Sequence, residues 1–142
     1  MLATLLARRH SRKTAAGVSA RAAAYNHGFW IEFNGAYMSY FKHHVFFCNN
    51  QRDAGIVCCG ARGADELRNY AKDRIKALGL NEGGPDKKIR INSSGCLDRC
   101  DFGPVMVVYP EGVWYTYMDK EDIDEIIDSH LVGGKVVERL KI

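Results

Sequence analysis

Cysteine placement constrains this chain more than any other feature: Cys48, Cys58, Cys59, Cys96 and Cys100 all fall in or beside segments patterned as loops. A cysteine used as a small hydrophobe belongs on a buried helical stripe or in mid-strand, and none of the five does. The fold is therefore expected to bring two loops together, one carrying Cys48, Cys58 and Cys59, the other Cys96 and Cys100. The sequence shows no secretory pattern, so a reducing, cytoplasmic setting is expected, where a disulfide framework is disfavoured. Cys58 and Cys59, being neighbours, would bond each other only with strain. Thiolates converging from two loops suit zinc, copper(I) or an iron–sulfur cluster. Zinc ribbons use close pairs on both sides, whereas here ten residues lie between Cys48 and Cys59 and only the second pair is tight. That spacing favours a [2Fe–2S] cluster and leaves zinc open.

The segments between the cysteines read as a small α/β domain. Lys42 to Cys48 ends in a β-branched and aromatic run, a strand signal. From Gly63 to Leu78, the positions Leu67, Tyr70, Ala71, Ile75 and Leu78 recur at three- and four-residue spacing, and Gly79 stands where the helix has to stop. Asn81 to Asp86 is turn chemistry. Lys88 to Ile91 alternates as a strand before a loop at Asn92 to Gly95. Val105 to Tyr109 and Val113 to Tyr117 flank Pro110-Glu111-Gly112 as a hairpin. Asp119 is placed to cap a second helix, whose stripe is Ile123, Ile126, Ile127 and Leu131. This order predicts a βαβ crossover followed by antiparallel strands, a mixed sheet with helices packed on it.

Charge is unevenly divided. Of 20 basic and 17 acidic side chains, residues 1–37 hold Arg8, Arg9, Arg12, Lys13 and Arg21 against Glu32 alone, which leaves 15 against 16 in residues 38–142. Whatever suggests a nucleic-acid binder thus sits outside the body of the chain, and no nucleic-acid partner is expected. Residues 1–37 are read as a disordered basic extension, as a transit-type segment, or as a misplaced translation start, since Gly35-Ala36-Tyr37-Met38 can be encoded by a purine-rich stretch ahead of a start codon. The domain is then 38–142. No stretch approaches the about 20 apolar residues that cross a bilayer, so no membrane partner is expected.

Read together, His44-Val45-Phe46-Phe47-Cys48, Cys59-Gly60-Ala61-Arg62-Gly63, Gly95-Cys96-Leu97-Asp98-Arg99-Cys100 and Gly103-Pro104-Val105 through Trp114-Tyr115 resemble the thioredoxin-like [2Fe–2S] ferredoxins. The resemblance continues through Asp122 to Ile127 and His130 to Gly134, and covers Lys42 to Leu140. It implies a thioredoxin-like fold and one [2Fe–2S] cluster on Cys48, Cys59, Cys96 and Cys100. It also implies a homodimer that exchanges electrons with donor and acceptor redox proteins. The first loop looks shorter than in better-known members, and Cys58 is an additional thiol. Cys59 is preferred over Cys58 because it directly precedes the matching Gly-Ala-Arg-Gly run.

The expected function is that of a one-electron carrier and not an enzyme, the protein positioning and tuning the cluster. The alternatives are a regulatory or protective protein that binds an enzyme according to redox state, and a structural zinc domain with four cysteine ligands. Gly60, Gly63, Gly95 and Gly103 are candidates for close backbone approach to sulfur, and Arg62 and Arg99 for cationic neighbours. His43 and His44 are minor candidates as ligands, and His130 is expected as a helix-end cation. Gly103-Pro104 is expected to be trans, because cis occurs in about 5–6% of X–Pro bonds. The acidic run Asp119 to Asp128 is read as a solvated face or a docking patch, and Trp114, Tyr115 and Tyr117 as sheet packing or a subunit contact.

Overall fold

A computed structural model describes residues 39–84 and 87–142. The readings of residues 1–37, and the end of the turn expected over 81–86, lie outside the described residues.

Strand β1, His43–Cys48, forms where aromatic and β-branched side chains crowd, residues that fit a pleated, half-buried surface. His43, Val45 and Phe47 are buried, while the intervening His44 and Phe46 are half-buried. After a loop and a 3-10 turn at Gly60–Arg62 comes helix α1, Ala64–Ala77. Its buried stripe is Ala64, Leu67, Ala71 and Ile75, with Asp65 and Glu66 in the first turn and Arg74 and Lys76 in the last, each sign suiting the helix dipole. Leu78 caps the helix, and Gly79 follows at a φ of 67°, the left-handed conformation that ends helices cheaply only at glycine.

The next strand, β2, runs Ile89–Ser94 and pairs in parallel with β1 along its whole length, from His43↔Ile89 to Cys48↔Ser94. This corrects the loop expected at Asn92 to Ser94: the backbone ladder offered by β1 outweighs the poor strand propensity of Asn and Ser. The hairpin forms as expected, with β3 at Val105–Tyr109 and β4 at Val113–Thr116 in antiparallel register, Val107 opposite Trp114. Strand β3 also pairs antiparallel with β1, giving the sheet order β2-β1-β3-β4. Gly103–Pro104 is cis, contrary to the expectation, as is Tyr109–Pro110.

Helix α2, Lys120–Glu125, starts where the Asp119 side chain accepts from the Asp122 N–H at 2.9 Å, while the Asp122 carboxylate accepts from the Met118 N–H at 2.8 Å. One continuous α-helix was the expectation; instead the winding loosens to π-helical over Ile126–Val132. The stripe Ile123, Ile126, Ile127 and Leu131 is nevertheless fully buried. It joins Val45, Phe47, Met106, Val108, Ile89, Ile91 and, from α1, Leu67, Ala71 and Ile75 in one core. Each such aliphatic side chain contributes about 1.5–3 kcal/mol relative to exposure.

Tyr115 and Tyr117 lie wholly in this core, which settles them as sheet packing and leaves only Trp114 half-buried. The acidic run is largely engaged inside the fold. Asp122 and Glu125 pair with Arg139, and Asp124 accepts from Arg74 Nε at 3.0 Å and from the Tyr70 hydroxyl at 2.7 Å. Among the described residues no helix is long and apolar enough to cross a membrane.

Candidate metal centre

The sheet topology puts the end of β1 and the start of β3 side by side, and both cysteine loops leave the sheet at that edge. Cys48 is the last residue of β1, Cys59 precedes the 3-10 turn that opens α1, and Cys100 begins a second 3-10 turn, Cys100–Phe102, just ahead of β3. One sulfur from each of Cys48, Cys59 and Cys100 lies within 4.8 Å of the other two. Cys96 Sγ is 3.6 Å from Cys100 Sγ, which completes a group of four thiols. Cys48 and Cys59 are fully buried, packed with Ala64 and Val105, whereas Cys100 is partly covered and Cys96 is exposed.

Burial and hydrogen bonding tune these thiols in opposite directions. Desolvation pushes the Cys59 thiol up to about 12, opposed by the backbone N–H of Val105. Burial likewise raises Cys100, with Cys96 adding to the effect. Cys96 is shifted downward, first by the Asp98 N–H, 3.4 Å from its sulfur, and then by the Arg52 guanidinium at 3.3 Å. The site thus has a dry, apolar interior and one edge where sulfur meets solvent and positive charge.

Residues 29–131 match the profile of the thioredoxin-like [2Fe–2S] ferredoxins. The chain belongs to the thioredoxin-like [2Fe–2S] ferredoxin family. It is 40% identical over 109 residues to a 2Fe–2S ferredoxin of Aquifex aeolicus, a match covering 74% of this chain and 92% of the relative. It is 34% identical over 106 residues to one from Clostridium pasteurianum, covering 71% of this chain and 96% of the relative. The crystal structure of the thioredoxin-like [2Fe–2S] ferredoxin from Aquifex aeolicus superposes with a TM-score of 0.64 at 39% identity, covering 73% of this chain and 98% of that one. The expected fold and family are thereby established. The resident group of this ferredoxin is a [2Fe–2S] cluster, and its class is that of electron-transfer proteins.

The described residues fit that group. A Cβ on Gly103 would stand 2.7 Å from Cys59 Sγ and 3.0 Å from the Cys100 carbonyl oxygen, so only glycine lets the chain pass this close to the sulfurs. The Gly103 carbonyl is held by the Arg62 guanidinium. At Gly60 a Cβ would meet the Gln51 side chain and the Asn49 and Asn50 carbonyls, so this glycine serves the packing of the first loop and not a sulfur. Gly95 faces open space.

Several expectations about neighbours change. Arg99 stacks over the Trp114 ring at 4.8 Å, and the cation on a sulfur of the thiol group is Arg52, beside Cys96, which the sequence reading missed. No local pattern marks Arg52; only the path of the Asn49–Cys58 loop brings it to Cys96. Cys58 is buried but stands outside the thiol group, whose first-loop members are Cys48 and Cys59. His43 and His44 lie on β1 away from the thiols: His43 pairs with Glu111, and His44 stacks on Phe46 with ring centroids 4.1 Å apart. His130 is buried, not a helix-end cation, and burial holds its imidazole below the ordinary range.

Proposed function

We propose that this ferredoxin carries one electron at a time on a single [2Fe–2S] cluster held by Cys48, Cys59, Cys96 and Cys100, between donor and acceptor redox proteins. The observation that carries the reading is the convergence of these sulfurs from two loops, three within 4.8 Å of one another and the fourth 3.6 Å from Cys100. When bound, the cluster supplies reversible one-electron chemistry at a charge of −2 or −3 with its thiolates. The chain's own residues do the rest. Val105, Ala64 and Leu97 keep water from the inner sulfurs. Arg52 and the Asp98 N–H face the outer sulfur of Cys96 and favour the added negative charge. The exposed Cys96 edge is the side a partner approaches.

A homodimer in a reducing, cytoplasmic setting goes with this reading, and so does a functional unit of residues 38–142. The half-buried Phe46 and Trp114, on the sheet face opposite Val45 and Phe47, support a subunit contact. Anaerobic purification, visible absorption, iron, sulfide and zinc analysis, and EPR after dithionite reduction test the carrier. Two irons and two sulfides per chain with an S = 1/2 signal are expected of one such cluster. A colourless zinc protein without sulfide, persisting after reconstitution, would sink the proposal. Sedimentation tests the dimer, and a chain started at Met38 that loses the cluster would contradict the domain boundary.

A further inference from the structure

At the other end of β1 from the thiols, a second set of metal-competent side chains comes together from three elements. His43 opens β1, Glu111 sits in the β3–β4 turn and His130 lies on the π-helical segment after α2. His43 Nδ1 is 3.2 Å from a Glu111 carboxylate oxygen. One ring nitrogen of each histidine and a Glu111 oxygen all lie within 4.8 Å of one another. His130 Nδ1 is 2.9 Å from the Tyr115 hydroxyl, which also accepts from the Val137 N–H at 3.1 Å. With Nδ1–H donating to that hydroxyl, the contact orients the ring and frees Nε2 to take a ligand, the outer support that histidine ligands ordinarily have.

We propose that His43, Glu111 and His130 form a binding site for one zinc-like divalent ion, separate from the thiol site, with water completing its coordination. Two imidazoles and a carboxylate are a donor set that zinc takes at about 2.0–2.2 Å, whereas soft thiolates suit iron–sulfur chemistry. Ligands at that range around a tetrahedral ion stand roughly 3.5 Å apart, so His43 and Glu111 are already at the right spacing. The third nitrogen is at most 4.8 Å from either, so ligation asks for a closing shift on the order of 1 Å. Both histidines are buried and their burial favours neutral imidazole, the form that coordinates; Glu111 is partly exposed and gives the ion a way in. Glu111 and Glu138 supply negative charge here, and Lys42, which donates to the Leu131 carbonyl, opposes the cation. An ion bound there would tie the start of β1, the hairpin turn and the end of the second helix together.

The test uses the full chain with its cluster, treated with a chelator and titrated with Zn2+, beside His43→Gln and Glu111→Gln. Calorimetry is expected to show one equivalent bound in the wild type, weakened at least about tenfold in each variant, the scale on which even a supporting partner of a metal ligand matters. Zn2+ should raise the Tm of the wild type more than that of either variant, with the visible spectrum of the cluster unchanged in all three. Equivalents that persist in both variants belong to other groups. If the wild type binds no Zn2+ beyond the cluster metal, or all three proteins bind it equally, the site does not exist. Should His43→Gln fail to fold, Glu111→Gln, at a partly exposed turn, decides the matter. Absence of the cluster would show separately, as missing iron and colour.

Discussion

The two ends of strand β1 make an instructive pair. At one end Cys48 enters a group of thiols drawn from loops; at the other His43 enters a group of nitrogen and oxygen donors drawn from the sheet, the hairpin turn and the second helix. The thiol end is loosely tied. Its sulfurs are placed by irregular backbone and close glycine approach, and few hydrogen bonds among the side chains hold them. The histidine end is tied already, through Glu111, Tyr115 and the Val137 N–H. The difference is that between donors placed mainly by loop backbone and donors held in a packed, hydrogen-bonded cluster.

Substitutions at the thiol end should have the larger consequences. Cys59→Ala is expected to abolish the visible absorption of the cluster, while Cys58→Ala retains it; the opposite pair of spectra would transfer the ligand role to Cys58. Gly103→Ala drives a methyl into Cys59 Sγ and the Cys100 carbonyl. It should lower the iron content and cost about 1–3 kcal/mol by overpacking, read by denaturant titration. Gly95→Ala, facing open space, is the matched control and should change neither quantity.

At the histidine end, Tyr115→Phe leaves the Val137 N–H and His130 Nδ1 buried without their partner. A loss of about 1–3 kcal/mol is expected, with iron content intact. Loss of cluster in this variant would show that the two ends are not independent. The smallest effect belongs to Arg52→Ala. Removing the cation beside Cys96 Sγ makes the added electron less favourable, so protein-film voltammetry should record a lower potential while thermal stability stays the same. An unchanged potential would mean that solvent screens the guanidinium fully.

Much of the fold was legible because it is written in periodicity. The α1 stripe, the hairpin and the Asp119 cap are local patterns; the hairpin and the cap stand where their residues predict them, and of the expected stripe Leu67, Ala71 and Ile75 are buried while Tyr70 is half-buried and Leu78, just past the helix end, is exposed. The exceptions have non-local causes. Asn92, Ser93 and Ser94 are strand only because β1 lies beside them, and the π-helical winding of Ile126–Val132 keeps the expected stripe buried with a different hydrogen-bond spacing. In the site, the cysteines were visible from type and position, because thiols outside every buried stripe need a reason to be there. Arg52 was not visible, since an arginine in a loop looks the same whether it points at water or at sulfur.

By itself, then, the sequence singled out the cysteines as candidates for metal chemistry, most of the helices and strands that frame them and, through a long ordered resemblance, the family. The tertiary structure decided which sulfurs gather, that Arg52 meets Cys96, that Asp122, Asp124 and Glu125 of the acidic run pair with Arg139 and Arg74, and that His43 and His130, 87 positions apart, bring donor atoms within 4.8 Å of Glu111. The physical reason is range. Helix caps, stripes and turns are set by neighbours a few residues away, whereas a donor group is assembled by strand pairing and core packing, which no local spacing encodes.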